Sequence, residues 1–122
     1  MEDVRSYKDL VVWQKSMNLA VEVHRIAERF PKHELYALSS QLRRAAASVP
    51  ANIAEGKARS TARDYAQFLA IARGSLAETA TFLELAVRLR YIAKDECLLA
   101  DDLIQQVGRM LNTIRTKLLA ET

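Results

Sequence analysis

The sequence predicts an all-α protein, an antiparallel up-down-up-down four-helix bundle formed by a single domain over residues 1–122. A chain of this length can close one core without help from a metal or a disulfide. Only three glycines and two prolines interrupt it, which favours long helices over many short strands. Apolar residues recur at helical spacing in four segments, and helices joined by short links pack antiparallel.

The first two helices are bounded by proline and glycine signals. The first is predicted over about residues 9–30, because Pro31 disfavours helical geometry in the residue before it. The second is predicted over about residues 33–56 and contains Pro50. The missing N–H of this proline and its bulky ring predict a kink there. Gly56 is predicted to cap the C-terminus of this helix.

The last two helices carry polar signals at their ends. Thr61 followed by Asp64 resembles a capping box, which opens a third helix predicted over about residues 61–91. The fourth helix is predicted over about residues 94–119. Acidic residues near its start and basic residues near its end complement the helix dipole.

Cysteine content and hydropathy bear on the compartment. Cys97 is the single cysteine, so it cannot form a disulfide within the chain, and the acidic start differs from the basic and apolar start of a secretory signal. No apolar run approaches the roughly 20 residues needed to cross a bilayer. The sequence therefore predicts a cytoplasmic protein without a membrane partner.

Charge is distributed unevenly along the chain. The formal net charge is +3, which permits nucleic-acid binding without requiring it. Residues 34–63 carry five bases and two acids, whereas residues 95–122 carry three bases and five acids. This asymmetry predicts one basic side and one acidic side.

Two helices carry wider apolar surfaces than a monomeric bundle needs. The first and third helices each show two adjacent apolar stripes at helical spacing, together covering roughly half the circumference. We interpret the second stripes as a homo-oligomer interface, and the alternative is a thicker monomer core. The predicted interface residues are Phe68, Ile71, Phe82, Leu85 and Leu89 on the third helix, and Val12, Leu19, Val23 and Ile26 on the first.

A polar seam follows the second helix beside its apolar stripe. Its residues share one side of the helix by phase, and two charged residues of the third helix could join them. We interpret the set as a structural or assembly network of hydrogen bonds and charge pairs, with Arg44 pairing with Glu55 or Glu78. The alternatives are a ligand or catalytic site and a solvated face. The set comprises Gln41, Arg44, Ser48, Asn52, Glu55, Arg73 and Glu78.

Patterns typical of catalysis are weak in this sequence. His24 and His33 are the two histidines, and neither follows a glutamate at the spacing of di-iron bundles. There is no glycine-rich phosphate loop and no Cys/His metal spacing. Cys97 lies near a predicted helix start, which could lower the pKa of its thiol, but it has no partner base. The sequence therefore predicts a protein without enzymatic activity, metal, cofactor or small-molecule substrate.

A group of basic residues could bind nucleic acid. It comprises Arg43, Lys57, Arg59 and Arg63, around the link between the second and third helices. Such residues can neutralise phosphates without reading base sequence. No aromatic residue interleaves them, so stacking on single strands has no support. The alternative is a solvated loop with scattered charge.

Three stretches resemble a known family. They are YKDLVVWQKSM from Tyr7, FPKHELYALSSQLRRAAASVPANIAEG from Phe30, and FLAIARGSLAE from Phe68. Together they resemble the 23S rRNA-intervening-sequence proteins, also called S23-like four-helix bundle proteins. The likeness extends over about residues 7–115, and its most specific part is Asn52-Ile53-Ala54-Glu55-Gly56.

The resemblance implies a small bacterial protein that tends to form a cyclic pentamer and whose gene is sometimes carried within an rRNA intervening sequence. The chain is also similar to the accessory proteins of diversity-generating retroelements, pentameric bundles with a basic surface for nucleic acid. The leading hypothesis is thus a non-enzymatic oligomeric scaffold associated with RNA or nucleoprotein. A protein-interaction module and a small-ligand-binding bundle are the alternatives.

Overall fold

Four α-helices make up most of the chain in a computed structural model that describes residues 6–122. They are α1 (Val11–Ala27), α2 (Leu38–Lys57), α3 (Ala62–Arg88) and α4 (Leu98–Ala120). Short 3-10 turns precede three of them, at Tyr7–Asp9, Lys32–Glu34 and Lys94–Cys97. The described residues contain no strand. The all-α, four-helix prediction is therefore confirmed.

The structure has four helices, as predicted, but each observed helix is shorter than the predicted one. The first helix ends at Ala27, and α2 starts only at Leu38, after a 3-10 turn that the apolar pattern did not distinguish from a helix. Gly56 lies inside α2 and has no positive φ, so its predicted role as a cap is wrong. Its neighbours explain the glycine, because a Cβ there would lie 2.9 Å from the Cβ of Phe68.

Local signals at the other boundaries correspond to observed contacts. The Thr61 hydroxyl accepts a hydrogen bond from the backbone N–H of Asp64 at 3.1 Å, which caps the start of α3. Pro50 is buried within α2, and the helix continues on both sides of it. The kink there stays a prediction.

The four helices pack in sequence order around one core. Contacts join α1 to α2, α2 to α3, α3 to α4 and α4 back to α1. Arg29, after the end of α1, forms an ion pair with Glu96, before the start of α4. Leu10 and Ile114, at the opposite ends of these helices, line one depression. Both contacts are consistent with the antiparallel order, which stays a prediction.

Burial corrects the predicted role of one stripe on α1. The core contains Val12, Leu19, Val23 and Ile26, each at most 2% exposed. These four side chains pack inside their own chain, so the prediction that they form a subunit interface is wrong. Helical phase showed that α1 has two stripes, but only the positions of α2 and α4 decide which stripe turns inward. The remaining fully buried large side chains include Leu42, Val49, Ile53, Leu69, Val107 and Leu111.

Candidate functional site

Part of the predicted polar seam forms a compact hydrogen-bond cluster between α2 and α3. The Ser75 hydroxyl donates to the Ser48 hydroxyl at 2.8 Å. The Asn52 amide donates to the same hydroxyl at 2.9 Å and to the Ser48 carbonyl at 2.8 Å. The cluster therefore joins the middle of α2 to the middle of α3. In a partly buried setting such bonds fix the register of two helices.

Two residues of this contact were absent from the predicted seam. Ser75 is buried, and Thr79, one turn later, is fully buried and donates its hydroxyl to the Ser75 carbonyl at 2.9 Å. Ser75 falls within an apolar stripe of α3. A serine in such a stripe is the sequence signal that could have indicated a buried hydrogen bond at this position. It needed a polar partner across the contact, which the Ser48 side chain supplies.

Outside this cluster, the charged members of the seam remain apart. Arg44 and Glu78 are exposed and line an open cleft of about 470 Å³ with Gln41, Ser48 and Phe82. No ion pair joins Arg44 to Glu78 or to Glu55 in residues 6–122; Glu55 instead lies 3.8 Å from Arg59. Within one chain the predicted pairing with Glu55 is not formed, because eleven residues of helix rise place the two side chains roughly 16 Å apart.

Arg73 does not belong to this seam. It lies on the opposite flank of α3, where it lines a cleft shared with α4. Five residue steps along the helix from Arg73 to Glu78 give a net rotation of about 140°, which turns the two side chains away from each other. A single ligand pocket lined by Arg44, Glu55, Arg73 and Glu78 is therefore not formed.

Beside the seam, α3 exposes an apolar stripe. Ile71, Leu85 and Leu89 are 45%, 42% and 45% exposed, while Phe68 and Phe82 are half-buried. Heptad spacing places Ile71, Glu78 and Leu85 in one row. We name the combined surface the α2–α3 face; it comprises Gln41, Arg44, Ile71, Glu78, Phe82, Leu85 and Leu89.

The predicted basic group is split by the structure. Lys57, Arg59 and Arg63 lie around the link between α2 and α3, where the Arg59 guanidinium stacks 4.4 Å from the centre of the Phe68 ring. Arg43 lies far from them, in a cleft lined by Phe30, and its inclusion in the group is wrong. Fourteen residues of helix, roughly 21 Å, separate it from Lys57.

Chemically reactive groups have settings that do not favour catalysis. Burial raises the pKa of the Cys97 thiol to about 11, and the carboxylates of Asp101, Glu96, Glu84 and Asp95 add to the shift. The suggestion that the helix start lowers this pKa is therefore wrong. In residues 6–122, no three His, Cys, Asp or Glu side chains gather as a metal site. None of these helices is long and apolar enough to cross a membrane.

A second polar cluster ties the links at one end of the bundle together. The Tyr91 hydroxyl donates to the Glu34 carboxylate at 2.7 Å. This bond lowers the pKa of Glu34 and raises that of Tyr91. Glu34 also accepts from the backbone N–H of Leu38, at the start of α2, at 3.4 Å. The contacts are those of a structural clamp between the two links.

Comparison with known proteins places this bundle in a family. No curated protein matches the chain. A crystal structure of a protein with unknown function from the S23 ribosomal protein family of Bacteroides thetaiotaomicron is similar, with a TM-score of 0.79 and 26% identity. That likeness covers 86% of this chain and 98% of the other. The model of the family described as 23S rRNA-intervening sequence protein matches residues 8–113. This match includes all of α1, α2 and α3 and most of α4, so the chain belongs to the family of 23S rRNA-intervening sequence proteins, as its motifs predicted.

Proposed function

We propose that this protein is a non-enzymatic scaffold that assembles into a homo-oligomer through the α2–α3 face and presents basic surfaces to RNA. The observation that carries the proposal is the composition of that face. Leu85 and Leu89 are exposed beside half-buried Phe82, and Ile71 is exposed on the same side of α3 beyond Glu78. Contiguous apolar patches rimmed by polar groups are typical of protein interfaces.

The charges on this face favour a second copy of the chain as the occupant. Arg44 on α2 and Glu78 on α3 lie on the same cleft without an ion pair between them. A face that carries both signs can complement another copy of itself, so that Arg44 of one subunit meets Glu78 of another. Correct charge partners fix the register of such a contact.

The proposed number of subunits, five, comes from the family resemblance. A ring requires that each subunit use two different surfaces, because a heterologous contact closes only by rotation. The exposed row of Met17 and Val21 on α1, 39% and 49% exposed, is the second apolar surface that could meet the α2–α3 face. The alternative, a two-fold contact of the α2–α3 face with itself, gives a dimer.

The mass of the particle tests the assembly. We expect light scattering to give several times 13.8 kDa at micromolar concentration. Ile71→Glu should lower that mass while leaving helicity unchanged, because Ile71 is exposed in the single chain. Leu98→Glu is the matched control, since Leu98 is 64% exposed on the outside of α4. A 13.8 kDa particle for the unmodified protein overturns the assembly proposal.

The RNA half of the proposal rests on charge. A net charge of +3 per chain is multiplied in an oligomer, and the bases Lys57, Arg59 and Arg63 recur with each copy. Several phosphates can then be engaged at once, which makes weak sites useful. The binding is expected to be electrostatic and weakly selective for sequence.

Salt dependence tests this half. The logarithm of the affinity for RNA should fall linearly with the logarithm of salt concentration, because phosphate neutralisation releases counterions. If the oligomer binds no RNA even at about 50 mM salt, where phosphate contacts are strong, the protein-interaction module replaces the RNA scaffold as the function.

A further inference from the structure

The α3–α4 cleft is an open groove of about 510 Å³ along the contact of these two helices. Arg73 on α3 and Arg109 on α4 line it from opposite sides. Gln105 and Asn112 line it from α4 as well. The cleft thus combines two guanidinium groups with two side-chain amides.

The arginines of this cleft have no acidic partner in the described chain. No Asp or Glu lines the groove, and neither Arg73 nor Arg109 forms an ion pair with a residue from 6 to 122. Arg109 and Asp9 also line one depression, but no ion pair joins them. Within residues 6–122, both positive charges are therefore without an acidic partner.

Small side chains line the cleft beside the larger Leu76 and Ile104. Ala77 and Ala80 face it from α3, and Gly108 faces it from α4. A Cβ on Gly108 would meet only a methyl group of Leu76, at 3.5 Å, so the glycine leaves space in the groove without being required by packing. A chain of phosphates and sugars could approach the helix backbones closely here.

The basic line continues beyond the cleft. Arg115 lies one helical turn after Asn112 on α4, and its buried Nε has no hydrogen-bond partner in the described chain. An unpaired buried donor is costly. The acidic residues of this contact, Glu84 and Asp101, lie at its other end, where Glu84 helps to raise the pKa of Asp101.

We infer that the α3–α4 cleft binds the phosphates of an RNA strand, with Arg73 and Arg109 as the principal contacts. The inference rests on the proposed function and names its RNA-binding surface. Arginine binds phosphate in a bidentate geometry, and the amides of Gln105 and Asn112 can hydrogen-bond sugar hydroxyls. The cleft contains no aromatic side chain for stacking, which predicts backbone contact with little base preference.

An acidic peptide is the competing occupant, and the cleft fits it less well. Peptide partners are usually anchored by large apolar or aromatic side chains in pockets. None of the large apolar side chains that are exposed in residues 6–122 lines this cleft. The arginine and amide side chains of this cleft, together with its alanines and glycine, suit a ligand that carries negative charges all along its backbone.

Two double variants distinguish the cleft from the link between α2 and α3. The first is Arg73→Glu with Arg109→Glu in the cleft, and the second is Arg59→Glu with Arg63→Glu in the link. The matched control is Arg25→Glu with Arg88→Glu, which reverses the same charge at exposed positions outside both surfaces. Binding of a fluorescent single-stranded RNA of mixed sequence is measured by anisotropy over a series of salt concentrations. Circular dichroism and light scattering check that each variant folds and assembles.

We expect the cleft variant to bind RNA about tenfold or more weakly at low salt, and the control to stay within about threefold of the unmodified protein. The slope of log affinity against log salt should decrease by about 1.4 in magnitude per occupied cleft, since each lost phosphate contact on a single strand contributes about 0.7. Gly108→Leu, which fills the groove without changing charge, should also weaken binding.

The other possible outcomes each contradict a different claim about RNA binding. If the unmodified protein binds RNA and the cleft variant binds equally well, the cleft inference is wrong and the RNA scaffold stands. If only the Arg59/Arg63 variant loses binding, the surface is the α2–α3 link. If polyglutamate of equal charge competes as well as RNA, the cleft takes carboxylates and the assignment to RNA is wrong. If the unmodified protein binds no RNA, the proposed function itself fails.

Discussion

The two flanks of α3 differ in how they meet their neighbouring helices. Toward α2 the contact is close, because Gly56 brings the backbone of α2 against Phe68 and the Ser48 and Ser75 hydroxyls bond across it. Toward α4 the contact opens into a groove over Ala77, Ala80 and Gly108, with arginines on its rims. One helix thus has a flank with exposed apolar side chains and a flank with two arginine-rimmed walls.

The contact with α2 is closer than the contact with α4 because of the size of the side chains opposite each glycine. Small residues occur on both flanks, but only beside α2 do large groups fill the space opposite them, since a Cβ on Gly56 would lie 2.9 Å from a carbon of the Tyr65 ring. Opposite Gly108 the nearest atom lies at 3.5 Å. Glycine therefore permits close packing in one place and leaves room for a ligand in the other.

The largest expected effect concerns the reactivity of Cys97, at the acidic end of the α3–α4 contact. Its pKa rises from an ordinary value of 9.0 to about 11, so at pH 8 the thiolate fraction falls about 100-fold, and burial slows access further. Alkylation by iodoacetamide should be at least that much slower in the folded protein than in the protein unfolded in concentrated urea. Equal rates would show that this end of the contact is open.

The close contact between α2 and α3 can be tested with one methyl group. Gly56→Ala should lower the free energy of unfolding by about 1–3 kcal/mol, because the added Cβ overlaps Phe68 and Tyr65. Gly74→Ala is the matched control, since a Cβ there has open space within 4 Å. It should raise stability by up to about 1 kcal/mol through helix propensity. Urea denaturation measures both, and a neutral Gly56→Ala would contradict the close approach.

The hydrogen-bond cluster provides a second test of the contact between α2 and α3. Ser48→Ala should lower the free energy of unfolding by about 1–3 kcal/mol, because Ser75 and Asn52 lose their acceptor. Arg44→Ala, at an exposed position of the same helix, should change the folding of the single chain by no more than about 0.5 kcal/mol. It should instead shift the oligomer toward smaller mass. Thermal melting at several protein concentrations separates the two effects.

The smallest expected effect lies where α3 ends. Arg90 adopts a positive φ of 63°, and the backbone N–H of Tyr91 bonds back to the Ala86 carbonyl at 3.0 Å in the manner of a Schellman motif. Glycine fits this conformation without the Cβ penalty, so Arg90→Gly should raise stability by about 1 kcal/mol. Arg90→Ala keeps the Cβ and should bring no such gain. Thermal denaturation at fixed concentration compares them.

Several parts of the molecule could be predicted from local sequence. Thr61 and Asp64 predicted the start of α3, and the apolar periodicity predicted four helices in the observed order. The family motifs were specific enough to identify the family. Each of these signals depends on residues a few positions apart, where helix geometry fixes their relation.

The candidate sites were harder to predict because they depend on which helices become neighbours. Arg73 and Arg109 are 36 positions apart in the sequence, and nothing in either helix alone places them on one groove. Likewise, Ser75 reads as a polar residue in an apolar stripe until Ser48 is found across the contact.

The sequence by itself determined the helical class, the number of helices, the family and the existence of two apolar stripes on α1 and α3, because composition and periodicity act within each segment. Tertiary structure decided which stripe is core. It buried Val12, Leu19, Val23 and Ile26, left Ile71, Leu85 and Leu89 exposed, and separated Arg43 and Arg73 from their predicted groups. The physical reason is that a helix's phase fixes which side chains share a face, whereas only packing against the other helices determines where that face points.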